Sequence, residues 1–258
     1  MKKFFAILFA VVMTMSLAAC GSTESSDLAY VKEKGTLVIG ITDFAPMDYQ
    51  EGGEWIGFDA DAAKAFAESI GVKCEFIEID WDSKEMELNN KSIDCVWNGM
   101  TLTDGVKAAM ETSNAYCNNA QIIVVNKDIA DTITSADAAK GLAFAVEGGS
   151  AGEQAAQDNG FDYTAVQTQA DAVMEVAAGT SDACIIDSLM AAAMVGEGTD
   201  YPDLTYTIGL TEEEYGVGFR KGSDLAAELN SFFKSTYASG ALQLIAEEYG
   251  VQAALIAQ

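Results

Sequence analysis

Short apolar runs alternate along this chain with stretches whose apolar residues recur every three or four positions, so strands and helices are expected in turn. Leu37 to Ile41 reads as a buried strand that runs out into Thr42-Asp43-Phe44-Ala45-Pro46-Met47-Asp48-Tyr49, where Pro46 stops it. Gly52-Gly53 and Gly57 bracket a turn. Ala62, Ala63, Phe66, Ala67 and Ile70 then lie at helical spacing, with Asp59 near the N-cap and Gly71 past the end. A second strand, Cys74 to Ile79, ends in Asp80-Trp81-Asp82, and a short helix from Ser83 to about Asn89 leads to a third strand, Cys95 to Trp97. That strand stops at Asn98-Gly99, and Thr103 or Asp104 can cap a short helix through Met110.

Strand, helix, strand, helix, strand calls for a parallel sheet, and in open sheets of this kind ligands bind in the crevice beyond the carboxyl ends of the strands. The turn from Asn98 to Thr103, with hydroxyls at Thr101 and Thr103, is therefore either a binding loop or a plain strand-to-helix connection. Beyond the strand Ala120 to Val125 the pattern begins again. It gives a helix Ser135 to Lys140, a strand Leu142 to Val146, a glycine-rich turn at 148–152, a helix ending at Gly160, a strand at Tyr163 to Val166, and a helix Gln169 to Ala178. The strand Ala183 to Ile186 then ends in Asp187-Ser188. Ser92-Ile93-Asp94-Cys95-Val96 is echoed by Ser181-Asp182-Ala183-Cys184-Ile185, which suggests two similar lobes. Two further strands, Leu204 to Ile208 and Tyr215 to Phe219, carry the chain back, and helices near 224–239 and 241–249 close it. Lobe 1 is expected to comprise 36–122 and 214–258, with lobe 2, 123–213, inserted into it through a two-strand hinge.

The amino end is of another kind. Lys2-Lys3, an apolar run from Phe4 to Val12 and the small residues before Cys20 make residues 1–19 a secretory signal peptide, too short for a stable membrane span. The cysteine after the small residues resembles the lipobox of bacterial lipoproteins, so Cys20 is the expected lipid anchor and residues 20–35 a flexible tether. The expected location is the outer face of the cytoplasmic membrane.

With 40 acidic against 14 basic residues the formal net charge is −26, a surface that repels nucleic acid and anionic lipid and favours a cationic or dipolar partner, or simply keeps an exported chain soluble. There is no histidine and no Cys-x-x-Cys pair, which excludes a zinc site of ordinary spacing and the usual Ser-His nucleophile. Cys74, Cys95 and Cys184 lie within apolar runs and read as buried thiols, although export permits disulfides.

Gly57-Phe58-Asp59, Asp94 with Gly99-Met100-Thr101-Leu102-Thr103, Gly149-Ser150, Asp187, and Tyr215-Gly216-Val217 with Arg220-Lys221-Gly222 stand in an order and spacing that resemble the polar amino acid-binding proteins of bacterial ABC importers. The resemblance covers essentially the whole mature chain, and its motifs are weak singly and strong together. It implies an α/β type II periplasmic-binding-protein fold, each lobe a mostly parallel sheet flanked by helices. It further implies a monomer that closes on a small ligand, an amino acid or related amine, and delivers it to a membrane permease. No cofactor, metal or catalytic residue is implied.

By the same resemblance Asp43 and Phe44 stand beside the ligand, Thr101 and the Gly99 carbonyl hold its α-amino group, and the Gly149-Ser150-Ala151 turn offers N–H groups to a carboxylate. Asp187 pairs with the α-ammonium, or else caps the helix that follows it. The family's carboxylate-binding arginine is replaced by Val106, and the single arginine, Arg220, matches a position outside the cleft. Trp81 and Trp97 take positions that are usually aliphatic, and with Phe44 they form either a cage for a cation or ordinary core packing. A dehydratase-like enzyme using Asp43 and Asp187 as an acid pair and a ligand-sensing domain are the rival functions.

Overall fold

The computed structural model describes residues 26–258. The expected signal peptide, the Cys20 anchor and the first part of the tether, 20–25, lie outside the described residues. The first half runs through α1 (Asp27–Lys34), β1 (Thr36–Ile41), the hairpin β2 (Tyr49–Glu51) and β3 (Glu54–Ile56), α2 (Phe58–Ser69) and β4 (Lys73–Glu78). A 3-10 turn at Trp81–Ser83 enters α3 (Lys84–Asn89), followed by β5 (Cys95–Thr101), α4 (Asp104–Ala109), β6 (Glu111–Thr112) and β7 (Cys117–Asn126). The second half holds α5 (Lys127–Ala130), α6 (Ala136–Ala139), β8 (Ala143–Glu147), α7 (Ala151–Asn159), β9 (Asp162–Val166), α8 (Gln169–Ala178), β10 (Ala183–Asp187) and α9 (Ser188–Met194). β11 (Leu204–Phe219), α10 (Leu225–Ser239) and α11 (Ala241–Glu248) complete it.

The strands order as β4-β1-β5-β11-β7-β10-β8-β9, with β6 attached to β11. β4-β1-β5 at one side and β10-β8-β9 at the other are parallel, as the repeated strand-helix pattern requires. Between them β7 and β11 run antiparallel to each other and to their outer neighbours. This is the two-lobed type II architecture, with each parallel group coated by helices on both faces. In lobe 1, β1 sends Leu37, Ile39 and Ile41 into a core with α2 and α10, and Val38 to the opposite face with Leu88, Val96 and Met110. In lobe 2, α8 covers one face through Ala172, Val173 and Val176, and α7 the other through Ala155 and Ala156.

Two expectations are corrected. Polarity alone makes 20–35 a flexible tether, yet 27–34 form α1, capped by Ser26, whose hydroxyl accepts from the Ala29 N–H, and closed by Gly35 in the left-handed conformation. Val31 is fully buried and Asp27 pairs with Arg220 at 3.0 Å, so the helix is fastened to the lobe by both contacts. The two strands at 204–208 and 215–219 are one strand, β11, with register irregularities around Gly209. The polar stretch between them continues the ladder because its side chains meet polar groups of β7: Glu213 lies opposite Asn119 and takes its amide at 2.7 Å.

Candidate functional site

The carboxyl ends of the parallel strands of both lobes face a common cavity of about 410 Å³. Trp81, Asn98, Gly99 and Thr101 line it from lobe 1, and Gly149, Ser150, Ala151 and Asp187 from lobe 2.

On the lobe 1 side, Asn98 ties two strand ends together: its Oδ1 accepts from the Thr42 N–H at 2.6 Å and its Nδ2 donates to Thr42 Oγ1 at 3.2 Å. Gly99 has φ +55, and a Cβ there would come within 2.4 Å of the Phe44 ring. Its N–H donates to Asp59 Oδ2 at 2.6 Å, which also accepts from the Tyr116 hydroxyl at 2.7 Å. Burial pushes the Asp59 carboxyl up to about 7 against those hydrogen bonds. Thr103 is spent as the cap of α4, accepting from the Val106 N–H, while Thr101 donates to Glu213 Oε1 at 2.7 Å across to β11. Val106 itself lines the cavity and packs with Trp81 and Met100, so an apolar wall stands at the position of the family's arginine.

On the lobe 2 side, Ser150 caps α7 by accepting from the Glu153 N–H, and the Gly149 N–H donates to Glu153 Oε2 at 2.7 Å. Asp187 ends β10 and is 4 % exposed. Its carboxylate accepts from the side-chain amides of Asn119, Gln121 and Gln169, and it makes no capping hydrogen bond to α9, so the cap alternative is excluded. The register explains this: antiparallel pairing sets Gln121 directly beside Asp187. Burial first, and then the charge of Glu213, pushes the Asp187 carboxyl up to about 8.

Two further residues complete the site. Glu147 ends β8 as Asp187 ends β10; it is 2 % exposed and is pushed up to about 8 by burial and by the Asp187 charge. Lys84, from the start of α3, reaches across the cavity and donates to the carbonyls of Trp81 at 3.0 Å and Gly149 at 2.9 Å. Its ammonium lies 4.8 Å from the Trp81 ring centroid, and burial pulls it down from its ordinary value against the charge of Glu147. The sequence reading singles out neither residue, although the strand-end rule applied to Leu142–Val146 reaches Glu147 at the next position.

Three expected site residues are not among those that line the cavity. Trp97 is 1 % exposed and packs against Phe66, Tyr116 and Phe233 with ring centroids 5.6 to 6.4 Å away, because the alternation of β5 turns positions 95 and 97 toward α2 and α10. The tryptophan cage therefore lacks one wall. Phe44 is buried beneath Gly99, edge-on to Tyr215, and supports the loop from below. Asp43 is exposed, its carboxyl raised by partial burial and by the charges of Glu78 and of Asp171 in the opposite lobe. Cys74, Cys95, Cys117 and Cys184 are free thiols, and no group of three or more His, Cys, Asp or Glu among the described residues is arranged to hold a metal.

Two α/β lobes whose strand ends meet across one polar cavity define the architecture of a small-solute binding protein. The family model of bacterial extracellular solute-binding proteins, family 3, matches residues 37–252, and the chain belongs to that family. It is 30 % identical to the arginine-binding extracellular protein ArtP of Bacillus subtilis, over 96 % of this chain and 98 % of that one. A mutant of the arginine-binding protein ArgBP from T. maritima superposes with a TM-score of 0.81 at 30 % identity, covering 87 % of this chain and 99 % of that chain. An ABC uptake transporter substrate-binding protein from Streptococcus pneumoniae with bound histidine gives the same TM-score and identity over 90 % and 99 %. These relatives are binding proteins by name, as the family's description is. No helix among the described residues is long and apolar enough to cross a membrane.

Proposed function

We propose that this chain is the extracellular capture component of an ABC importer, holding an amino acid or related small amine between its lobes and delivering it to a membrane permease. The observation that carries the reading is Asp187: a buried carboxylate in the cavity between the lobes, hydrogen-bonded by neutral amides and open to a ligand's ammonium group. Asn98, Gly99, Thr101 and Trp81 from one lobe and the Gly149-Ser150-Ala151 turn from the other complete the contacts. A ligand that touches both faces stabilises the closed state over the open one, and the hinge is β7 with β11, the lobes changing near 122/123 and 213/214. Relatives named for arginine and histidine support a ligand with a positive group. The protein acts as a monomer, and in this reading a signal peptide at 1–19 is removed, Cys20 carries lipid, and the tether runs to Ser26, where α1 begins.

Isothermal titration against amino acids, amines and betaines tests the proposal. A saturable heat with at least one of them is expected, and a folded protein that binds none overturns it.

A further inference from the structure

We infer that the cleft selects an organic cation carrying no carboxylate, an aliphatic amine or guanidine instead of the free amino acid, with Glu147 as a specificity-determining residue. The inference rests on the capture reading above and names its ligand class.

Glu147 is nine-tenths buried or more, lines the cavity, and its Oε1 has no hydrogen-bond partner. A buried acceptor without a donor is costly, and where it lines a cavity a partner arriving from outside accounts for it. Asp187 faces the same cavity, and its charge is the strongest one acting on Glu147. Two carboxyl groups thus converge on one enclosed space, and the charge of Asp187 opposes that of Glu147. A cation placed between them removes that conflict.

Most of the donors that could instead receive a carboxylate are already engaged. The Gly149 N–H at the start of α7 is taken by the protein's own Glu153 carboxylate at 2.7 Å. Lys84, the one cationic side chain among the described residues that lines the cavity, gives two of its three N–H groups to the carbonyls of Trp81 and Gly149 and has Glu147 as its leading counter-charge. Glu85 and Asp104 add negative charge to the wall. A ligand carboxylate would have to rely on neutral donors such as the Ala151 N–H while facing two buried acids. The apolar part of the wall is Trp81, Met100 and Val106, which suits the methylene stem of an amine.

Matched pairs test the inference: agmatine against L-arginine and cadaverine against L-lysine, with L-glutamine and L-histidine alongside, titrated calorimetrically into the protein. Each amine is expected to bind about tenfold or more tighter than its amino acid, the size of one charge-assisted hydrogen bond or of one avoided repulsion. An amino acid that binds as tightly as its amine, or a preference for glutamine or histidine, overturns the inference and leaves the capture reading standing. Failure of all six to bind overturns this inference, and the wider panel of amino acids, amines and betaines then decides the capture reading. Glu147→Gln, which keeps the shape of the side chain, is expected to weaken the amines about tenfold or more without weakening glutamine. Unchanged amine affinity in that variant overturns the role of Glu147.

Discussion

Asp94 and Asp182 stand at the amino ends of β5 and β10, while Glu147 and Asp187 stand at the carboxyl ends of β8 and β10. At the amino ends the acids serve the strands. Asp94 accepts from the Val38 N–H at 2.8 Å and pairs with Lys34 at 2.5 Å and Arg220 at 3.4 Å; Asp182 accepts from the Ala143 N–H at 2.9 Å in the equivalent place. Each aspartate fastens its strand to a parallel neighbour, although it stands third in Ser-Ile-Asp-Cys-Val and second in Ser-Asp-Ala-Cys-Ile. At the carboxyl ends no cation among the described residues pairs with Asp187, and Glu147 has one oxygen unpaired. A buried acid with its charge met is scaffolding. One at the strand ends that lines the cavity and is short of a partner is poised for a ligand, because that is where the fold leaves room for one.

Breaking the scaffold end should give the largest effect. Arg220 joins Asp27 and Asp94 and donates to the carbonyls of Leu88 and Ile93, so Arg220→Ala is expected to destabilise folding by about 3–5 kcal/mol, the cost of leaving buried carboxylates short of a partner. Denaturant midpoints measure it, and ligand affinity of the folded variant should not change.

At the ligand end the signature is in pH. The Glu147 and Asp187 carboxyls titrate near 8 in the folded chain and near 4 in the unfolded one, so the folded chain holds the extra protons and stability falls as pH rises from about 4 toward about 8. Glu147→Gln should flatten that fall by about 1–3 kcal/mol across the window, read from thermal melts. Cation affinity in the parent should climb with pH and level off above about 8, and a flat profile would count against both carboxyls as the counter-charge.

Gly149→Ala probes closure. With φ +70 and a Cβ that would stand 2.7 Å from Asp82 Cα on the opposite lobe, it should cost about 1 kcal/mol of stability and weaken ligand binding more than that, since only the closed state meets the obstruction. Asp182→Ala should do least: losing one partly solvated hydrogen bond to Ala143 costs about 0.5–1 kcal/mol, with binding intact. A binding defect there would blur the distinction between the two ends.

Much of the site was legible because it follows from strand ends. The Gly149 turn follows the end of β8 and Asp187 ends β10, and both line the cavity; Asn98-Gly99 line it too, but the strand expected to stop there runs on to Thr101. The tryptophans were harder. A central strand of a parallel sheet is buried on both faces, so the sequence Cys-Val-Trp-Asn-Gly shows no polar side to reveal which residues look inward. Trp97 is open to either reading until α2 and α10 are seen packed over it. Lys84 escapes notice because a lysine at a helix start has no sequence feature that separates a solvated side chain from one bridging a cleft to Gly149.

By itself the sequence determined the alternation of strands and helices, the parallel sheets and the acidic character of the chain, since these follow from local periodicity and composition. Only the tertiary structure decided that β11 is one strand crossing between the lobes, that Arg220 serves the scaffold, and that Glu147, Lys84 and Asp187 meet in one cavity. Those outcomes depend on pairings between residues tens of positions or more apart, where burial and charge are set by neighbours that no local pattern names.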